Sequence, residues 1–236
     1  MARLGRWTRW AATGGAAAGL VAAGAWMVPT AASAATSPKA TSPKAKAQLL
    51  RLSDFPPGWQ KSTGSTTSSS GTTSQFAQIA SCEGISESTV KITVPDASTG
   101  FSKKKKTAQF TVELVGVWPS AATAKKVYAL FSSPKAPTCV GKLLSQSVAA
   151  GTATGNVSAS DVTVSKLPMP RLGSASTAIG LAIPVTLGGT KVTMNADFVT
   201  IQEGSSLAVV APIGLSATVP TAFTVSIAKK AAARLR

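Results

Sequence analysis

The chain has 236 residues, 44% of them hydrophobic and 14% charged, enough apolar content for one core. Lysine and arginine total 24 against 8 aspartate and glutamate with no histidine, a formal charge of +16 that favours anionic partners. Without histidine neither a Ser-His-Asp nor a Cys-His nucleophile system can be built, which excludes the commonest hydrolases.

Residues 1–34 place a positive run, MARLGRWTR, before an apolar stretch from Trp10 to Val28 and then PTAASA. Ala32 and Ala34 flank Ser33 in the A-x-A pattern that a signal peptidase cuts, so we read an export signal cleaved after Ala34. The same apolar stretch is about long enough to stay behind as a membrane anchor. Residues 35–45 carry TSPKA twice in tandem, a Ser/Pro/Lys tether too poor in apolar groups to order itself. A single domain is expected over residues 46–236. The segment Ala45 to Leu52 predicts a short helix, ended by Ser53-Asp54 and by Pro56-Pro57-Gly58, which turn the chain and present Trp59. Residues 60–74 are a low-complexity polar loop with nothing to pack, expected to be mobile.

A helix is predicted from Ser74 to Cys82, followed by strands over 89–94 (TVKITV) and 107–118 (TAQFTVELVGVW). In the second strand Phe110, Val112 and Leu114 are expected to face inward and their polar neighbours outward. Between the two strands, PDASTGFSKKKK is expected to be a hairpin-like connection with Lys103, Lys104, Lys105 and Lys106 at its tip. Pro119-Ser120 opens a helix with Ala124, Val127, Tyr128 and Phe131 on one stripe. Ser132 to Pro137 breaks it, and a second helix runs from about Thr138 to Ala149. Period-two segments follow. Ile179, Leu181, Ile183 and Val185 line one strand, with Pro184 expected at an edge or bulge because it has no ladder donor. Gly188-Gly189 is a two-residue turn, and the return strand buries Val192, Met194, Ala196 and Phe198. After Gly204-Ser205 comes another strand, and a helix from Pro220 carries Phe223, Ile227, Ala231 and Leu235 inward and Lys229, Lys230, Arg234 and Arg236 outward or toward its C-terminus. This order predicts an α+β domain, an antiparallel sheet of about five or six strands flanked by helices.

Cys82 and Cys139, an even count in a chain read as exported, predict one disulfide between two helices. A reactive thiol pair would need the close C-x-x-C spacing and an activating histidine, both missing. No metal-ligand motif or cofactor-binding motif is present. The acidic residues are scattered, mostly on the polar faces of elements or in loops, which argues for surface solvation and against a carboxylate pair.

Taken together, L-x-x-x-D-x-P-x-G-W (Leu50, Asp54, Pro56, Gly58, Trp59), Cys82 in SCEGI, Ser120, Ala121 and Ala124 after a strand, and Cys139 in KAPTC resemble a group of exported actinobacterial envelope proteins. These are similar to the extracellular sensor domains of mycobacterial receptor Ser/Thr kinases and to related envelope lipoproteins with a PsbP-like or Mog1-like fold. The resemblance implies an antiparallel sheet flanked by helices and a cleft proposed to bind a ligand. The chain departs from that group in having no kinase segment and no lipid-attachment cysteine.

The function expected is that of a non-enzymatic, secreted or cell-wall-associated binding domain for an envelope component or small apolar ligand. Trp59 and Trp118 are candidates for lining its cleft, with core packing as the other fate of each. The alternative is a structural or adhesive envelope protein acting through its basic tether and the Lys103–Lys106 tip. That tip either touches anionic wall polymers or lipid headgroups or is a solvated end that discourages edge pairing. Nucleic-acid binding is disfavoured by export and by the scarcity of aromatic side chains.

Overall fold

The computed structural model describes residues 42–62, 77–86, 97–103, 109–151, 157–159, 162–187 and 190–236. The expected signal segment, the tether up to residue 41, most of the polar loop, the expected strand 89–94, Lys104, Lys105 and Lys106, and Gly188-Gly189 lie outside the described residues.

Helix α1 spans Pro43–Gln48, two residues ahead of its expected start. Ser42 caps it by accepting a hydrogen bond from the Ala45 N–H at 3.4 Å. Pro43 occupies the first turn, where a missing N–H breaks no intrahelical bond. The helix is shorter than expected because the chain turns extended at Leu49. A 3-10 turn follows at Leu52–Asp54. Gly58, at φ +89°, then supplies the positive φ that the third position of a Pro-Gly turn requires. Trp59 thereby starts strand β1 (Trp59–Lys61).

The remaining elements are α2 (77–83), β2 (Ala97–Lys103), β3 (Gln109–Val117), α3 (Ala121–Ser132), α4 (Ala136–Gly151), β4 (Val157–Ala159), β5 (Thr163–Lys166), β6 (Ala175–Leu187), β7 (Thr190–Glu203), β8 (Ser206–Leu215) and α5 (Thr221–Arg234). The strands form one eight-stranded sheet in the order β1-β2-β3-β8-β7-β6-β4, with β5 also on β6, and every pairing is antiparallel. The α+β class and the antiparallel sheet are as the sequence predicts; the strand count is higher. One added strand is β2, which replaces the connection expected over PDASTGFSKKKK. Its only large apolar residue is Phe101, so its strand character comes from pairing with β1 and β3 on either side and from Phe101 being 1% exposed in the core.

Pro184 explains another departure. It lies inside β6 and not at the sheet edge, but β4 pairs with Val185–Leu187 and β5 with Ile179–Ala182. Ile183 and Pro184 face the gap between the two short strands, so the residue that cannot donate sits where no edge ladder needs a donor.

Helices cover both faces of the sheet. On β8, Leu207, Val209, Ala211 and Ile213 pack with α2, α3 and α4, while Ala208 and Val210 pack on the other side with α1 and α5. On the first side Ser120 caps α3 through the Thr123 N–H at 3.2 Å. The break before α4 is shorter than expected, because Ser133 accepts from the Ala136 N–H at 3.0 Å and Pro137 fits the first helical turn. The Cys82–Cys139 disulfide, with Cα atoms 5.7 Å apart, ties α2 to α4.

Candidate functional site

The two faces of the sheet differ in chemistry. Strand β3 is the clearest case. Phe110, Val112 and Leu114, expected inward, are only half-buried on the α3/α4 side, whereas Thr111 and Glu113, expected outward, have no exposure at all. The correction has a topological cause: β3 lies between β2 and β8 with α1 packed across it, so its second face is roofed too.

Glu113 is the centre of that roofed face. It is the register partner of Thr99 on β2 and of Val210 on β8, and Thr111 is its same-face neighbour two residues earlier. From above, the Leu50 N–H donates to Glu113 Oε2 at 2.5 Å. Glu113 Oε1, Thr99 Oγ1, Thr111 Oγ1 and Gln48 Oε1 are buried without a hydrogen-bond partner among the described residues. Burial pushes the Glu113 carboxyl up to about 8, against the opposing Leu50 hydrogen bond and the Arg234 charge. Burial thus favours its protonated form, which can both donate and accept.

Residues 42–61 lie over this carboxyl as a strap, and the strap is fastened to the C-terminal helix. Gln48 Nε2 donates to the Leu235 carbonyl at 3.0 Å. Arg234 Nε pairs with Asp54 Oδ2 at 2.7 Å, the Arg51 N–H donates to the same oxygen at 2.7 Å, and Lys230 Nζ donates to the Asp54 carbonyl. Burial alone would raise the Asp54 carboxyl, but the Arg234 and Arg51 hydrogen bonds and the Arg234 and Lys230 charges hold it below its ordinary value. Lys230 and Arg234, expected outward or toward the helix C-terminus, are half-buried for this reason.

Aromatic rings close one end. Phe55 packs on Phe101 at 4.2 Å between centroids and on Trp59 at 5.0 Å, and Trp59 stacks on Phe223 at 5.2 Å with 12° between planes. Trp59 is 8% exposed. Trp118 is buried as well, but in the cluster beneath α3 and α4, where its backbone N–H donates to the Ser205 carbonyl at 2.8 Å and its indole Nε1 is buried without a partner among the described residues. The two tryptophans belong to opposite faces and are not brought together. Lys103 is exposed at the end of β2, beside Trp59 in the β1–β2 register.

A raised carboxyl near a lowered one resembles the pairing used in acid–base sites. Here, however, Asp54 is held by Arg234 and the Arg51 N–H, and Glu113 is covered by the strap. Among the described residues no three His, Cys, Asp or Glu side chains gather as a ligand set. The arrangement is suited to hydrogen bonding of an uncharged group beneath a cover that has to lift. Glu113 was missed as a site residue in the sequence, yet a signal was there. Alternation in β3 fails at Val115-Gly116-Val117-Trp118, all buried, and a strand end covered on both sides implies that the face shared by Thr111, Glu113, Val115 and Val117 is covered as well.

No protein-family model matches the chain, and no curated protein matches it in sequence. Among solved structures the chain is similar to the extracellular domain of PknH from Mycobacterium tuberculosis, with 12% identity and a TM-score of 0.43, over 85% of this chain and 98% of that one.

Proposed function

We propose that the chain is a non-enzymatic binding domain working outside the cytoplasm, and that its ligand is taken on the strap side of the sheet. The observation that carries this reading is the set of buried polar atoms of Glu113, Thr99, Thr111 and the strap's own Gln48 without a partner among the described residues, where the strap's Phe55 and Trp59 pack on the Phe101 and Phe223 rings. Those groups suit a small ligand with an apolar body and one uncharged hydrogen-bonding group. In the exported chain Trp59 and Trp118 are the only tryptophans, so Trp118→Phe leaves Trp59 as the reporter. Titrating that variant with a long-chain alcohol should shift Trp59 emission saturably, and Glu113→Leu should abolish the shift. No change in emission and no change in thermal midpoint would remove this reading.

A second reading, adhesion to an anionic envelope surface, has its own support. Of the 8 acidic residues, Glu113 is buried, Asp54 is paired with Arg234, Asp197 accepts from Thr224 at 2.6 Å and Glu83 accepts from Ser133 at 2.6 Å. Among the described residues these four carboxylates are drawn into internal contacts, while Lys46, Arg51, Lys61, Lys103 and Lys229 stay exposed. Wall association abolished by high salt tests this reading.

A further inference from the structure

We infer that the strap side of the molecule is a docking face for an anionic lipid bilayer; this rests on the adhesive reading and names its surface and partner. Trp59 pairs with Lys103 and Lys61 pairs with Phe101 across β1 and β2, so these four side chains share one face. Trp59 and Phe101 are buried there under α5, which puts exposed Lys61 and Lys103 at its rim. Along the strap Lys46 and Arg51 are exposed, and Lys229 and Arg236 are exposed on and just beyond α5. Among the described residues opposing charge on this face is sparse: Glu113 is buried, Asp54 is held by Arg234, Asp197 is hydrogen-bonded to Thr224, and Glu203 is half-buried at the β7–β8 turn.

Two observations select a bilayer over a soluble polyanion. The first is Leu52, the only exposed large hydrophobic side chain among the described residues at 46%, set between the exposed Arg51 and the exposed Pro56-Pro57. A lone apolar side chain is ordinary on a surface, but one beside an exposed cation such as Arg51 can enter the interfacial region while the cation meets headgroups. The second is where the chain leads. Residues 1–41 join the domain at Ser42, at the start of this strap, and the apolar stretch from Trp10 to Val28 lies within about 45 Å of extended chain from it. Where that stretch is kept as a membrane anchor, the alternative to cleavage after Ala34, the strap that begins at Ser42 is the part of the domain joined to it.

The test is flotation of the protein secreted through its own N-terminus with vesicles of phosphatidylcholine alone or mixed with phosphatidylglycerol. Binding is expected only to the mixed vesicles. Lys61→Gln with Lys103→Gln should weaken it roughly tenfold to thirtyfold, and Leu52→Ser should weaken it further. Lys125→Gln with Lys126→Gln, exposed on α3, should leave it within about twofold if only the strap face docks. Equal loss from the α3 pair, or no binding to mixed vesicles, overturns the proposal. Salt-sensitive binding to purified wall polymer without vesicle binding would overturn the bilayer and leave the adhesive reading standing. Unchanged circular dichroism checks that each variant is folded.

Discussion

The two faces of the sheet are stabilised by different means. Beneath α2, α3 and α4 the packing is apolar, from Ile179, Leu181, Ile183 and Val185 on β6 to Val127 and Leu130 on α3, and a covalent bond joins two of the helices. Beneath α1 and α5 the core is also aromatic and aliphatic, but it encloses Glu113, Thr99 and Thr111 and is closed by a strap held through an ion pair and hydrogen bonds. The first face carries the bond that a reductant cuts; the second carries the shifted carboxyls of Glu113 and Asp54. A fold that gathers its shifted carboxyls on one side can loosen that side with pH while the other keeps the sheet together.

The largest expected effect breaks the covalent face. Cys82 and Cys139 are 57 residues apart, and closing a loop of that length stabilises by about 4 kcal/mol in the chain-entropy model. Reduction, or Cys82→Ser with Cys139→Ser, should lower the denaturant midpoint accordingly, at pH 5 and pH 8 alike. A loss that depends strongly on pH would show that the two faces are coupled.

The contrast between the faces was only half legible in the sequence. Period-two patterning in β6 and β7 and the 3.6-residue stripe of α3 gave the α3/α4 side, because there one polar face alternates with one apolar face. Period two carries no such information once both faces are covered. In β8 nine consecutive residues from Ser206 are buried, and in β3 the residues that look solvent-facing are the most deeply enclosed. β2 reads as a connection because Ala97, Ser98 and Gly100 have little intrinsic strand preference, and its two neighbouring strands override that. Of the residues singled out for function, the disulfide is readable from cysteine parity; for Glu113 the only signal is the indirect one at the end of β3, since a carboxylate in a strand otherwise reads as surface until the roof over it is known.

The next effect sharpens the comparison from the strap side. Glu113 has a folded-state value of about 8 against an ordinary 4.5, so between those values the folded chain holds a proton that the unfolded chain has released. Stability is fully present below about pH 4.5, falls by up to about 1.4 kcal/mol per pH unit above it, and levels off past about pH 8. Glu113→Gln keeps the shape and an amide N–H, removes the titration, and should flatten urea midpoints measured across that window. A slope that persists in the Gln variant would assign the proton to another group.

The smallest effect concerns the fastening of the strap to α5. Asp54 is held below its ordinary value, so its contribution has the opposite sign to that of Glu113: it is present above about pH 3.8 and lost as pH falls through the folded value. Arg234→Ala should cost about 1 kcal/mol near neutral pH, since the two side chains keep 19% and 16% of their surface and solvent moderates the pair. The informative quantity is local. Gln48 still reaches the Leu235 carbonyl and the Leu50 N–H still reaches Glu113 in this variant, so the strap is weakened without being released. Amide exchange should therefore quicken at Arg51, whose N–H donates to Asp54, and stay slow at Leu207 and Val209 in β8. Faster exchange in β8 to the same degree would mean that the strap and the sheet open as one unit, and the two faces would then share a single cooperative transition.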